Sequence, residues 1–135
     1  MKTAIVYQTK LGATQKYASW LQEATKAELF RMDKLSGQKL QDFDRVVVMS
    51  GTYAGGMPLT GYLKQNWQYL ENKKVVAVAV GAVGSEKLWS KLSYIRIPRK
   101  IRAKIQYFKI RGRAEQEPES LVKRENLKEI IGKLH

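Results

Sequence analysis

Two runs of small and β-branched apolar residues constrain this chain most: Val46-Val47-Val48-Met49, and Val75-Val76-Ala77-Val78-Ala79-Val80. Neither run alternates with polar residues, so both faces of each segment must be covered. That is the signature of central strands in a parallel sheet held between two helical layers. Thr3–Tyr7 and, more weakly, Tyr107–Ile110 read as further buried strands, and Glu28–Met32 as a short edge strand whose apolar residues alternate with charged ones. Between the strands the period becomes helical. Tyr17, Trp20, Leu21 and Ala24 fall at i, i+3, i+4 and i+7. Pro58 occupies a first helical position, with Leu59, Tyr62, Leu63, Trp67 and Leu70 as the inner face of the helix it starts. After Pro118, the residues Leu121, Val122, Leu127, Ile130, Ile131 and Leu134 predict one final helix. Ser36–Gln41 reads as a loop or a degenerate helix.

Strands alternating with helices imply right-handed βαβ crossovers, and five such strands predict the doubly wound order 2-1-3-4-5. The fold class is therefore α/β, a three-layer sandwich. At 135 residues, with no repeat and no linker, residues 1–135 read as a single domain.

In that topology ligands bind beyond the carboxyl ends of strands 1, 3 and 4, where three loops would meet. The first, Thr9-Lys10-Leu11-Gly12-Ala13-Thr14, joins a strand to a helix. The first turn of a helix has unpaired N–H groups and a partial positive charge, and so attracts phosphate. Gly12 allows close backbone approach, while Thr9 and Thr14 add hydroxyls and Lys10 a positive charge. The same residues also fit a plain turn with a helix cap. The second loop, Ser50-Gly51-Thr52-Tyr53-Ala54-Gly55-Gly56, and the third, Gly81-Ala82-Val83-Gly84-Ser85, hold five glycines between them. Backbone kept close to a flat ligand has this composition.

Composition excludes several chemistries. There is no cysteine, and the one histidine is the last residue, His135. Thiolate metal sites, disulfides and Ser–His–Asp catalysis are therefore excluded. A Gly-x-x-x-x-Gly-Lys-Ser/Thr loop, a Gly-x-Gly-x-x-Gly fingerprint and the acidic cluster of a phospho-acceptor receiver are all missing. Redox chemistry would have to come from a cofactor. The absence of a long apolar run and of a signal-like start reads as a cytoplasmic protein.

Net charge is +13, and Lys87–Arg113 carries ten Lys/Arg with no acid. Leu88, Leu92 and Ile95 before Pro98, then Ile101 and Ile105, give this block helical stripes, with Trp89 and Tyr94 among the charges. Three readings remain open: a patch that meets an anionic membrane surface, a docking face for an acidic redox partner, or a solvated helix face. Charge alone also fits nucleic acid, but no recognition element accompanies it.

The start Met1–Thr9 with its Gly12-Ala13-Thr14 turn, and Asp42–Val48 leading into the glycine/tyrosine loop, resemble the flavodoxin family. Within it they are similar to the short group that includes the menaquinone-dependent protoporphyrinogen oxidase of bacteria. The resemblance implies noncovalent FMN and electron transfer or a small flavin-dependent oxidoreductase, with a redox protein or quinone as partner. It implies that Thr9, Lys10, Gly12, Ala13 and Thr14 hold the phosphate, while Ser50 to Gly56 and Gly81 to Gly84 flank the flavin ring. Many flavodoxins sandwich the ring between two aromatics; here Tyr53 is the obvious one, and the third loop offers Val83. A flavodoxin-fold interaction module without cofactor, or a basic adaptor at a membrane surface or nucleic acid, is the alternative reading.

Overall fold

The computed structural model describes residues 1–10, 12–52, 56–81, 88–113 and 117–134, with side chains 88–90 outside that description. Five strands, β1 (Thr3–Gln8), β2 (Glu28–Arg31), β3 (Arg45–Gly51), β4 (Lys74–Gly81) and β5 (Ile105–Arg111), form one sheet of order β2-β1-β3-β4-β5. Every neighbouring pair is parallel. Helices α1 (Ala13–Thr25), α2 (Pro58–Leu70), α3 (Leu88–Ile95), α4 (Arg99–Arg102) and α5 (Lys128–Leu134) complete the three-layer α/β sandwich.

The valine runs are buried on both faces because successive side chains point to opposite layers. Val46, Val48, Val75, Ala77 and Ala79 pack in one core with Leu59, Leu63, Leu70 and Ile101. Val47, Met49, Val76, Val78 and Val80 pack in the other with Tyr17, Leu21, Leu127 and Ile130. Each valine, leucine, isoleucine or methionine among them, fully buried, stabilises the fold by roughly 1.5–3 kcal/mol.

Helix α2 follows the sequence pattern, with Pro58 in its first turn and Leu59, Tyr62, Leu63, Trp67 and Leu70 buried. Its buried Asn66 is satisfied twice. Its Oδ1 accepts the Gly37 N–H at 2.8 Å and its Nδ2 donates to the Tyr62 carbonyl at 2.9 Å. Gly37 has φ +61 and opens a 3-10 segment, Gly37–Asp42, the degenerate helix among the two readings of this stretch.

Three helical readings need correction. In α1 the buried stripe is Thr14, Tyr17, Ala18 and Leu21, while Trp20 is half-buried and Ala24 is exposed, because the face docked on the sheet is rotated from the one the apolar residues alone mark. The expected final helix is two 3-10 turns, Glu119–Leu121 and Arg124–Leu127, followed by α5. Asn126 holds this stretch across α1: its Nδ2 donates to the Tyr17 hydroxyl at 2.7 Å and to the Leu121 carbonyl at 3.2 Å. In the basic block, Ile95 is 57% exposed and Ile97 is buried in its place, since α3 ends before Pro98 and the chain turns back to the sheet. Ile105 begins β5 and belongs to no helix.

Candidate functional site

The strand order reverses between β1 and β3, whose parallel register pairs Gln8 with Ser50. The carboxyl ends of these strands and of β4 thus bring together the loops starting at Thr9, Ser50 and Gly81. At the first loop, Thr9 Oγ1 accepts the Gly12 N–H at 2.9 Å, and Gly12 takes φ +91, ψ −14 at the start of α1. A side chain at Gly12 would meet open space, so the left-handed backbone, not crowding, calls for glycine. Among the described residues no side chain caps α1, and its first turn holds no acid. The N–H groups of that turn are left for an external acceptor. Thr14 is buried, and its hydroxyl has no hydrogen-bond partner among the described residues. Ala13 is half-buried beside it, and Lys10 is exposed.

The second loop divides by role. Ser50 is fully buried: its hydroxyl accepts the Leu59 N–H at 3.1 Å and donates to the Gly51 carbonyl at 3.1 Å. That hydroxyl ties β3 to the first turn of α2. Gly51 is buried at the end of β3, and Thr52 and Gly56 are half-buried. Tyr53, Ala54 and Gly55 lie outside the described residues, as do Ala82, Val83, Gly84 and Ser85 of the third loop. The third loop leaves from Gly81, which is buried against Thr52 and Lys109.

Two cations at this edge were not singled out by the sequence reading. Lys109 Nζ lies 3.1 Å from where a Gly81 Cβ would stand, and burial pushes its ammonium below its ordinary range. Arg113, 19% exposed at its side chain, pairs with Glu119 at 3.6 Å and donates to the Glu117 carbonyl at 3.3 Å. With Lys16 it lines a small cavity of about 110 Å³ against Gly12 and Ala13. A larger groove of about 400 Å³ flanks the same turn on the β2 side, lined by Gln8, Thr9, Gln15 and Arg31 among others. The signal in the sequence was position: Lys109 and Arg113 bracket the end of the last predicted strand. The basic block therefore splits. Lys91, Arg96, Arg99 and Lys100 are exposed on the α3–α4 stretch that holds Ile95, Lys104 is exposed just before β5, and Lys109 and Arg113 turn to the loop edge.

Among the described residues no group of His, Asp or Glu could hold a metal ion, and no helix is long and apolar enough to cross a membrane. The model of the flavodoxin domain matches residues 4–133. The chain belongs to the flavodoxin-domain family. This flavodoxin-domain protein has no match among curated protein sequences. In three dimensions it is similar to the flavodoxin of Megasphaera elsdenii in its two-electron reduced form (18% identity, 97% of this chain and 98% of that chain covered, TM-score 0.68). It is also similar to oxidised flavodoxin 2 of Bacillus cereus (18% identity, 99% and 97% covered, TM-score 0.64). A third similar structure is an FMN-dependent NADH-azoreductase of Bacillus anthracis in complex with FMN (10% identity, 99% and 98% covered, TM-score 0.67). At such identities the likeness speaks for the fold.

Proposed function

We propose that this flavodoxin-domain protein binds FMN noncovalently and acts in electron transfer, as a carrier or a small flavin-dependent oxidoreductase. One observation carries the reading: the uncapped start of α1, behind a left-handed Gly12, at the point where the strand order reverses. The residues there fit a phosphate monoester. The N–H groups of Ala13 and Thr14 and the hydroxyls of Thr9 and Thr14 supply neutral donors, with the Gly12 N–H held by Thr9 Oγ1 and the Lys10 charge nearby. Each bond to the charged group is worth about 1.5–3 kcal/mol.

Bound FMN would supply the electron chemistry. Ser50 acts from behind, holding the second loop to α2. Gly51, Thr52 and Gly56 would line one side of the ring and Gly81 the other, with Tyr53, Ala54, Gly55, Ala82, Val83 and Gly84, outside the described residues, as the further expected ring contacts. Lys109 beside Thr52 and Gly81 contributes positive charge there. The exposed cations around Ile95 favour an acidic redox protein or a quinone at a membrane surface as the partner.

The test is direct. Protein purified under native conditions should carry flavin absorbance or quench the fluorescence of added FMN in a saturable way. Lack of both overturns the reading in favour of an interaction module.

A further inference from the structure

The opposite end of the sheet, where the strands begin, holds a second groove, of about 530 Å³, lined by Arg45, Lys73, Lys74, Lys104 and Lys133. These cations come from the start of β3, the turn into β4, the turn into β5 and the end of α5, so only the tertiary fold gathers them. Among the described residues no carboxylate side chain lines the groove. Six ion pairs among the described residues use Lys2, Arg31, Arg111, Arg113, Lys123 and Arg124, and none uses a cation of this groove. Two of the five are fixed by neutral acceptors: Arg45 Nε donates to Thr3 Oγ1 at 3.0 Å, and Lys73 Nζ to the Phe43 carbonyl at 2.6 Å. Those bonds orient the charges without neutralising them.

We propose that this groove binds a soluble ligand bearing a polyphosphate group. Like charges in one concavity repel one another and focus a positive potential, which a multivalent anion relieves. The volume lies in the range of about 300–1,000 Å³ usual for small-molecule sites, and a concave surface of this size admits a compact anion and not a flat bilayer. Arg45 can engage two oxygens of one phosphate through its terminal nitrogens, and the lysines act as point charges on the rest. The eight residues of β4 separate this groove from the loop edge by about 25 Å, at about 3.3 Å per residue, so the two sites are independent.

Titration calorimetry with inorganic tripolyphosphate, with and without saturating FMN, tests the proposal on the intact protein. Saturable 1:1 binding is expected, unchanged by FMN. Lys74 and Lys104 are exposed, so Lys74→Gln with Lys104→Gln should leave the fold intact by circular dichroism while weakening binding by about tenfold or more. The control pair Lys91→Gln with Lys100→Gln removes the same charge from another face and should weaken binding by less than about threefold. No saturable binding, or equal loss in both pairs, overturns the proposal. Neither outcome bears on FMN at the other end.

Discussion

Gly81 and Thr52 stand so close at the loop edge that a Cβ on Gly81 would collide with the Thr52 hydroxyl, and Lys109 Nζ would be 3.1 Å from it. The second and third loops are thus fastened at their roots by the absence of one methyl group. Gly81→Ala should cost roughly 1–3 kcal/mol, the usual penalty for overpacking. Urea denaturation measures it, and an unchanged midpoint would show that Thr52 and Lys109 yield freely.

Thr14 separates ligand binding from stability. Thr14→Val keeps the shape and removes a hydroxyl with no partner among the described residues. FMN affinity should fall about tenfold or more while the melting temperature stays within about 2 °C. A parallel loss of both would make the turn purely structural.

Ser50→Ala should do the reverse. It leaves the buried Leu59 N–H without its acceptor, a loss of about 1–3 kcal/mol in unfolding free energy. FMN affinity of the folded protein should change less than about threefold.

Lys109→Met removes a half-buried positive charge beside the proposed ring wall. Reduction adds negative charge to a flavin, which a nearby cation favours, so the midpoint potential should become more negative by about 30 mV or more, equivalent to about 1.4 kcal/mol for two electrons. Spectroelectrochemical titration reads the shift, and an unchanged potential would separate Lys109 from the ring.

Alkaline pH should unfold the protein through its buried phenols. Burial, with Tyr94 nearby, pushes the Tyr107 hydroxyl up to about 12, and burial raises Tyr62 as well. Unfolded tyrosine ionises near pH 10, so from there upward the unfolded chain releases a proton that the native state retains. Stability is fully present below pH 10 and declines between about pH 10 and 12, by up to about 1.4 kcal/mol per pH unit per tyrosine. Denaturation of Tyr107→Phe across that range should show a shallower decline; an identical slope would exclude Tyr107 as a contributor.

The lesson of these residues is what each kind of signal encodes. Continuous valine runs, the Pro58 helix start and the glycines of the Thr9–Thr14 and Ser50–Gly56 segments were legible because burial on two faces and backbone freedom are local properties of residue types. From them followed the strand order, both helical layers and the edge where the loops gather. The destination of individual polar side chains was not legible. The bonds of the Ser50 hydroxyl to the Leu59 N–H and the Gly51 carbonyl, for instance, have no local signal. Lys109 and Arg113 looked like part of one basic face, and they turn to the loop edge. Asn126 looked like the interior of a helix, and its bonds to Tyr17 and Leu121 replace that helix by 3-10 turns.

The sequence by itself determined an α/β parallel sheet with a phosphate-compatible turn after its first strand, because hydrophobic pattern and glycine position act over a few residues. Only the tertiary structure decided which hydroxyls stay open, which cations approach the loops and that five others converge at the opposite end of the sheet. Those outcomes depend on strand register and helix docking, which join residues far apart in the chain.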